Sequence, residues 1–501
     1  MGGRTAFARV AGARGVSTVQ FDMEAANRFE VSATPLPNAP PQGGRESSAS
    51  ALSRLEQKLD WARDNLPRAR VSGAVTEIAT THYRVSGLSR FVTLGQCVEV
   101  EAAGHVEVGE VVRIDGAHVT LKPFDAHCKA SIGARAFRAD ALSLSPSEQW
   151  KGRVIDALGR PIDGAGELKR GGRAMPFDAE PPAAMQRSRV KTPIRTGVRV
   201  IDLFTPLCAG QRIGVFAGSG VGKSTLLAML ARAPEFDTVV IALVGERGRE
   251  VREFIDDTLG RYRRSAIAVV STGDESPMMR RLAPKTAMTV AEYFRDRGDK
   301  VLLIVDSVTR FAHAARDIAL AAGEPAVARG YAPSVFSDLP RLLERAGPGV
   351  DGAGSITGFF SVLVDGDDHN DPVADAIRGT LDGHIVLDRA IADQGRYPAV
   401  NILSSVSRLA HFCWTPEQGK LVSKLRTLVA RFEETRDLRL MGGYAAGGDA
   451  VLDQAVKSAP RIYEAMMQSL SSEPCQDPFI ELAAALRLDA TAEQAAEGLA
   501  P

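Results

Sequence analysis

The chain has 501 residues, of which 45% are hydrophobic and 24% charged, and this composition favours two or three packed domains over a largely disordered chain. Its 61 basic residues balance 61 acidic ones, so no overall electrostatic field draws the chain to nucleic acid or to an anionic membrane. The five cysteines form no Cys-x-x-Cys pair and no apolar stretch approaches the roughly 18 residues of a membrane span, so we expect a soluble cytoplasmic protein without a zinc or redox site.

The N-terminal segment divides into a tail and a helix. The first 50 residues predict a disordered tail, because prolines, glycines and serines crowd residues 31–50. Apolar side chains then recur at the spacing of one face of an amphipathic helix, at Leu52, Leu55, Leu59 and Trp61. We therefore expect residues 51–68 to form a helix that docks on another surface.

Three domains are predicted after this helix. Residues 69–145 consist of short alternating apolar runs separated by glycines, which is typical of a small all-β barrel. Residues 146–414 alternate apolar strands with helical stretches, which predicts an α/β domain with a parallel sheet covered on both faces. Residues 415–501 have helical composition, and we expect a C-terminal α-helical domain.

A glycine-rich loop between a predicted strand and a predicted helix indicates phosphate binding. The glycines let the backbone turn its N–H groups toward an anion, and the following helix presents its positive N-terminus to the same place. The lysine of such a loop reaches the β- and γ-phosphates of ATP, and the next hydroxyl binds Mg²⁺. The predicted ATP-binding residues are Gly218, Ser219, Gly220, Val221, Gly222, Lys223, Ser224 and Thr225.

Two carboxylates follow apolar strands and can complete this site. Asp306 ends an apolar run that begins at residue 300, as expected of an acid that holds magnesium, although strands ending in Asp are common. Glu246 follows the apolar residues 239–244, and ligands of open parallel sheets bind at the carboxyl ends of the strands. A carboxylate there can polarise the attacking water, while a solvated charge cluster that opens a helix is the alternative.

Two residues late in the α/β domain have both a functional and a structural interpretation. Tyr397 precedes a proline and can stack on a purine, or it can serve packing alone. Arg408 ends an apolar segment and can be a finger that contacts phosphate, or it can form a surface salt bridge.

Together these motifs resemble the catalytic subunits of the rotary ATPase superfamily, and most closely the flagellar protein-export ATPases and the related virulence type III secretion ATPases. The resemblance extends from about residue 69 to about residue 490. It rests on residues 150–163, 216–224, 245–251, 338–347 and 396–400. Ala217, which replaces the first glycine of the strict loop pattern, is common in the export branch.

The resemblance implies a fold and roles for individual residues. It implies a β-barrel, a RecA-like P-loop ATPase domain and a helical domain. By similarity, Glu246 is the catalytic carboxylate, and Arg247 and Arg310 are charges near the γ-phosphate that assist Lys223 in catalysis. Tyr397 is the adenine platform, Tyr444 a second adenine contact and Arg408 the arginine finger.

The resemblance also implies partners. It implies a homo-oligomer, a ring of six, with a regulator protein on the N-terminal helix and a coiled-coil stalk protein in the central channel. The ring would lie in the cytoplasm against the inner-membrane export gate, which passes export substrates and their chaperones. We expect Asp365, Asp367 and Asp368 to face the channel and meet the stalk, and a solvated acidic turn is the alternative.

Several related functions compete with flagellar export. Catalytic subunits of proton-translocating ATP synthases usually have Gly-Gly-Ala-Gly-Val-Gly-Lys-Thr in the loop, whereas residues 217–224 read Ala-Gly-Ser-Gly-Val-Gly-Lys-Ser. Non-catalytic ring subunits typically have Gln at the position of Glu246. Residues 71–144 lack the mixture of basic and aromatic residues of an RNA translocase, so no nucleic-acid partner is expected. Virulence export stays open, because overall similarity alone favours the flagellar system.

Overall fold

A computed structural model describes residues 52–56, 58–60, 70–102, 104–364 and 371–486. It has the predicted fold class: an N-terminal barrel, a central parallel sheet covered by helices, and a C-terminal helical region. The predicted tail and the acidic residues Asp365, Asp367 and Asp368 lie outside the described residues. No helix within the described ranges is long and apolar enough to cross a membrane.

The secondary structure follows the order predicted from the sequence. The strands are β1 Ser72–Ile78, β2 Tyr83–Ser86, β3 Cys97–Ala102, β4 His105–Ile114, β5 His118–Pro123, β6 Arg135–Arg138, β7 Ser143–Leu144, β8 Val154–Asp156, β9 Met175–Pro176, β10 Pro193–Ile194, β11 Leu207–Cys208, β12 Arg212–Ala217, β13 Thr238–Glu246, β14 Ala266–Thr272, β15 Lys300–Asp306, β16 Gly347–Pro348, β17 Ser355–Leu363, β18 Gly383–Leu387 and β19 Val406–Ser407. The α-helices are α1 Arg199–Phe204, α2 Lys223–Leu230, α3 Gly248–Glu253, α4 Pro277–Asp296, α5 Val308–Ala321, α6 Pro333–Leu343, α7 Pro372–Thr380, α8 Arg389–Asp393, α9 Pro416–Glu434, α10 Arg436–Leu440 and α11 Ala450–Met466. Residues 52–56, 58–60 and 478–486 are also helical. A π-helix spans Phe254–Leu259, and short 3-10 helices span Glu148–Trp150, Gly260–Ser265, Ala328–Gly330 and Ala410–Phe412.

The N-terminal barrel is closed by six strands in the order β1-β2-β5-β4-β3-β6. Alternate residues point inward, so the interior is filled by valines, leucines and Tyr83. The Tyr83 hydroxyl donates a hydrogen bond to the carboxylate of Glu107, which is buried in the same core. Closure removes the sheet edges and gives this region a rigid core of its own.

The central sheet brings the predicted site strands next to one another. Its order is β19-β18-β12-β17-β15-β13-β14-β8, and β16 pairs with β17. All pairs are parallel except β16 with β17 and β18 with β19. The carboxyl ends of β12, β13 and β15, which carry the loop and both carboxylates, therefore lie at one edge of the sheet.

Helices cover both faces of this sheet, which explains why its strands are apolar throughout. Along β13, Val240 and Ala242 contribute to one core, whereas Val239, Ile241 and Leu243 contribute to the other. The first core is covered by α4, α5 and α6, and the second by α1, α2 and the C-terminal helices α9 and α11. The helical region thus shares a core with the sheet.

Two cysteines that are distant in the sequence meet in the fold. Cys208 ends β11, and Cys413 directly follows the 3-10 turn Ala410–Phe412. Their Sγ atoms lie 3.5 Å apart, and the Cys413 thiol donates to the carbonyl oxygen of Leu207 at 3.2 Å. The absence of a Cys-x-x-Cys motif in the sequence therefore does not mean that all thiols are isolated.

A buried ion pair joins α4 to the end of α6. The Arg345 guanidinium donates to both carboxylate oxygens of Glu292, from Nε at 2.9 Å and from Nη2 at 2.8 Å. Its Nη1 also donates to the carbonyl oxygen of Phe177 at 2.6 Å. Both charged side chains are almost completely shielded from solvent, so each depends on the other for compensation.

We predict that Arg345→Met lowers the free energy of unfolding by about 3–5 kcal/mol, because it leaves the Glu292 carboxylate buried without its partner. Denaturant titration of the full chain measures the change. The control is Arg249→Met, which removes the cation of an exposed pair with Glu253 and should leave the unfolding midpoint unchanged. Equal midpoints for the two variants would show that the buried pair does not stabilise the fold.

Candidate nucleotide-binding site

The glycine-rich loop connects the end of β12 to the start of α2. Gly220 and Gly222 have φ angles of 78° and 90°, in the left-handed region that glycine adopts without steric cost. Gly222 is also the N-cap residue of α2, so Lys223 and Ser224 open the helix. The loop therefore presents its backbone and the positive end of a helix to the carboxyl edge of the sheet.

Lys223 lies between the two predicted carboxylates. Its ammonium group forms an ion pair with Asp306, and its Nζ lies 3.9 Å from Oε1 of Glu246. All three side chains are largely shielded from solvent. The structure thus brings together residues from three strand ends that the sequence motifs had assigned to one site.

Glu246 has an environment suited to a base. The pairing of β13 with β14 shifts register at Gly245, whose φ is 69°, and Glu246 then pairs with Thr272 at the end of β14. Burial raises the pKa of Glu246, and the neighbouring charge of Asp306 raises it further, while Lys223 and Arg310 act in the opposite direction. A carboxylate with a raised pKa holds a proton more readily, which favours proton abstraction from water.

Arg310 approaches Glu246 from α5. A Cβ atom on Gly245 would come within 3.3 Å of the Arg310 side chain, so this arginine packs closely against the Gly245 backbone, whose φ of 69° favours glycine. The Arg310 Nε is buried and has no hydrogen-bond partner among the described residues. A buried donor of this kind is available to an anionic ligand.

Tyr397 lies directly beside the loop. A Cβ atom on Gly222 would come within 3.4 Å of two carbons of the Tyr397 ring, so the ring packs against the loop backbone. The side chain is 43% exposed, and the Tyr397 carbonyl accepts a hydrogen bond from the Gln468 amide at 2.9 Å. An aromatic ring that is half exposed beside a phosphate loop can stack on a base.

Three predicted site residues lie outside this cluster in the single chain. Arg247 is 86% exposed and forms an ion pair with Glu250 at 3.3 Å. Arg408 is exposed after the edge strand β19, and only its backbone amide takes part in a described hydrogen bond, to Asp382. The Tyr444 hydroxyl donates to Asp453 at 2.7 Å in the helical region. Their predicted roles stay predictions.

Arg389 is a neighbour of the loop that the sequence motifs did not identify. It opens α8, directly after β18, and its Nη2 donates to the carbonyl oxygen of Ser219 at 2.9 Å. Because β18 pairs with β12, whatever follows β18 must lie beside the glycine-rich loop. The strand order, which the sequence does not reveal, is the signal that locates this residue.

The cleft next to Lys223 has a volume of about 200 Å³, and its lining combines four carboxylates and one hydroxyl with the apolar side chains of Leu243, Val251 and Phe254. Its lining includes the Ser224 hydroxyl and the carboxylates of Glu246 and Asp306. Hard divalent cations such as Mg²⁺ prefer oxygen ligands and keep several waters, so this donor set fits magnesium bound together with a phosphate. Within the described ranges, no group of three or more His, Cys, Asp or Glu side chains is arranged to hold a metal ion.

Comparisons with known proteins show which family this chain resembles. Residues 197–407 match the ATP synthase alpha/beta family, nucleotide-binding domain, and residues 414–480 match the T3SS EscN ATPase C-terminal domain. The chain is 58% identical over 422 residues to the flagellum-specific ATP synthase of Rhizobium meliloti (strain 1021), which covers 84% of this chain and 90% of that protein.

Solved structures extend the similarity to an assembled ATPase. The assembled ATPase EscN of the enteropathogenic E. coli type III secretion system superposes with a TM-score of 0.77 at 38% identity, covering 83% of this chain and 99% of that chain. The same ATPase in complex with its central stalk EscO gives a TM-score of 0.75 at 37% identity, with the same coverage.

We predict that Glu246→Gln retains ATP binding and loses about 10²–10⁴-fold in turnover, because the amide keeps the shape of the side chain without its basicity. Nucleotide titration and steady-state kinetics measure the two effects.

The pH dependence of the wild type gives a second measurement. Ionised Glu246 is the active form and its pKa is raised, so kcat/KM should decline with falling pH at a pH higher than for an ordinary glutamate.

The matched control for this substitution is Glu275→Gln. Glu275 is also a half-buried carboxyl near a strand end whose pKa is raised by burial, but it is bonded to Ser271 and lies outside the cleft. The Glu275→Gln variant should retain wild-type turnover and the wild-type decline of kcat/KM at low pH. Near-normal hydrolysis by Glu246→Gln would move the catalytic role to another residue.

Proposed function

This chain belongs to the family of flagellum-specific ATP synthases and type III secretion ATPases, and we propose that it hydrolyses Mg-ATP as the motor of a flagellar protein-export apparatus. The observation that carries the flagellar assignment is the 58% identity to a flagellum-specific ATP synthase, compared with 46% to the SPI-2 type 3 secretion system ATPase of Salmonella typhimurium. Virulence export is the second candidate, because EscN nevertheless shares the fold over 83% of this chain.

We propose that the buried charge cluster performs the hydrolysis. The loop backbone and Lys223 hold the β- and γ-phosphates, and Glu246 orients and polarises the attacking water. Arg310 directs its unpaired guanidinium nitrogen toward the developing negative charge. Ser224 and Asp306 would hold Mg²⁺, and the ion would neutralise part of the phosphate charge.

We propose that Tyr397 is the adenine platform, on the basis of its packing against Gly222. Stacking on an aromatic ring stabilises a bound base by about 1–3 kcal/mol and tolerates different bases. In the structure, the Tyr444 hydroxyl is hydrogen-bonded to Asp453. We therefore propose Tyr444 as a second adenine contact only for a different arrangement of the helical region.

We propose a ring of identical subunits, in which Arg408 and Arg247 act at the boundary between neighbours. Both side chains are exposed in the single chain and are therefore accessible to a neighbouring subunit. The assembled structure of EscN supports a homo-oligomer, and its complex with the stalk EscO supports a stalk partner for this chain. Asp365, Asp367 and Asp368 are the proposed stalk contacts.

The remaining partners are proposals from the family. The leucines at 52, 55 and 59 are exposed in the single chain, which suits a helix that docks on a regulator protein. We propose that the ring works in the cytoplasm at the inner-membrane export gate, where it receives export substrates and chaperones.

We predict that deleting the gene from its host abolishes secretion of flagellar subunits and that the wild-type gene restores it. The Glu246→Gln gene should fail to restore normal secretion, because its product binds ATP without turning it over. Immunoblots of the culture medium for flagellar and for virulence substrates provide the measurement. Loss of virulence substrates with normal flagellar secretion would support the second candidate instead.

We predict that Arg408→Ala binds ATP normally and loses about 10³–10⁵-fold in turnover, because fingers supplied in trans stabilise transition-state charge with little effect on the ground state. Mixing Arg408→Ala with Glu246→Gln gives the sharper measurement. At some boundaries an intact Arg408 then faces an intact Glu246, so the mixture should recover part of the activity. Mixed rings that stay inactive would contradict action in trans.

A further inference from the structure

Arg396, the residue before the proposed adenine platform, is anchored on an aromatic ring. Its guanidinium carbon lies 3.8 Å from the centroid of the Tyr463 ring. Its Nε and Nη1 are buried and have no hydrogen-bond acceptor among the described residues. Buried N–H donors without hydrogen bonds destabilise the fold unless another interaction compensates. The π face of Tyr463 is the compensating partner here.

Tyr463 is itself held firmly by the helical region. Its hydroxyl donates to Oε1 of Glu433 on α9 at 2.5 Å. Its ring meets the ring of Phe432 at a centroid distance of 6.4 Å and an interplanar angle of 66°, and the Arg439 guanidinium covers Phe432 at 3.6 Å. The carboxylate of Glu433 polarises the phenol and makes the ring richer in electrons, which strengthens its attraction for Arg396.

The neighbouring Tyr397 has few other attachments. One side of its ring packs against Gly222 of the loop, and its carbonyl oxygen accepts from the Gln468 amide. The side chain is 43% exposed, and it lines a small crevice together with Arg396 and Tyr463. A platform that is fixed before the ligand arrives avoids the entropic cost of ordering it during binding. The anchor one residue away is therefore well placed to control base binding.

We propose that Arg396 is a positioning residue: its stacking on Tyr463 holds Tyr397 against the phosphate loop and ties adenine affinity to the helical region. This inference rests on the proposed role of Tyr397. It assigns a function to a side chain that contacts neither the loop nor the charge cluster. The relevant ligand moiety is the base of a nucleotide, and the phosphates are bound independently of Arg396.

The test compares a ligand that contains adenine with one that lacks it. Calorimetric titration of the full chain with ADP and with pyrophosphate, both in the presence of Mg²⁺, gives the two affinities. Arg396→Met should raise the Kd of ADP about tenfold, as expected for a desolvated cation–π contact. The Kd of pyrophosphate should not change, because the loop and Lys223 are intact.

Further variants separate positioning from general loss of structure. Arg396→Lys keeps a cation over the ring and should restore most of the ADP affinity, and Tyr463→Leu should match Arg396→Met. Tyr293→Leu is the matched control: Arg297 covers Tyr293 at 5.5 Å, but this ring packs on the core of the opposite face of the sheet. It should leave both affinities unchanged. In the Tyr397→Ala background, Arg396→Met should have no further effect.

The outcomes distinguish this inference from the proposed function. If Tyr397→Ala weakens ADP binding while Arg396→Met and Tyr463→Leu do not, the anchor is wrong and the platform stands. If Arg396→Met weakens ADP and pyrophosphate equally, the residue is structural and the inference is overturned. If Tyr397→Ala leaves ADP affinity unchanged, the platform itself is wrong and the inference fails with it.

Discussion

The site depends on one ammonium group that compensates two buried carboxylates. Lys223 faces Asp306 directly and Glu246 at 3.9 Å, and Arg310 supplies the second positive charge. Buried charges are tolerated only when they are paired, so Lys223 holds the two carboxylates in place, and the charge of Arg310 stabilises the ionised form of Glu246. A magnesium-bound phosphate brings both signs of charge, and it can therefore exchange partners with the cluster without leaving any charge unpaired. This balance makes the site ready for a highly charged ligand.

The sequence predicts those parts of the site that follow from local patterns. A strand, a glycine-rich loop and a helix adjoin in the chain, so the place of Lys223 at the sheet edge could be predicted from them. Asp306 could be placed at the same edge because it ends an apolar run. The neighbourhood of Arg389 and Ser219 depends on the pairing of β18 with β12, which no local pattern encodes. The contact between Cys208 and Cys413 likewise arises from long-range packing. Local motifs therefore predict the residues of the candidate site that are close in the sequence, and strand order determines which distant residues lie beside them.

In the single chain, only one of the three arginines that the family resemblance assigns to the site lies near Lys223 and Glu246. Arg310 lies within the cluster, whereas Arg247 and Arg408 are exposed. Arg408 follows the edge strand β19, where the sheet ends and another subunit can approach. Before assembly, an exposed guanidinium stays hydrated and costs the single chain no desolvation energy. In a ring, an anion of the neighbouring site can replace this water. Division of the site between subunits would make turnover depend on ring formation.

The helical region and the candidate nucleotide site share one packed core. Ile462 and Met466 of α11 belong to the same core as β12 and α2, and Tyr463 on the same helix lies behind the segment that carries Tyr397. Close-packed cores transmit displacement because they have few voids to absorb it. A shift of α11 relative to the sheet must therefore change either the core beneath the phosphate loop or the stacking of Arg396. By reciprocity, a base bound on the proposed platform Tyr397 would favour the position of α11 that keeps this stacking. A partner that binds the helical region differently in the two positions would then be coupled to nucleotide binding.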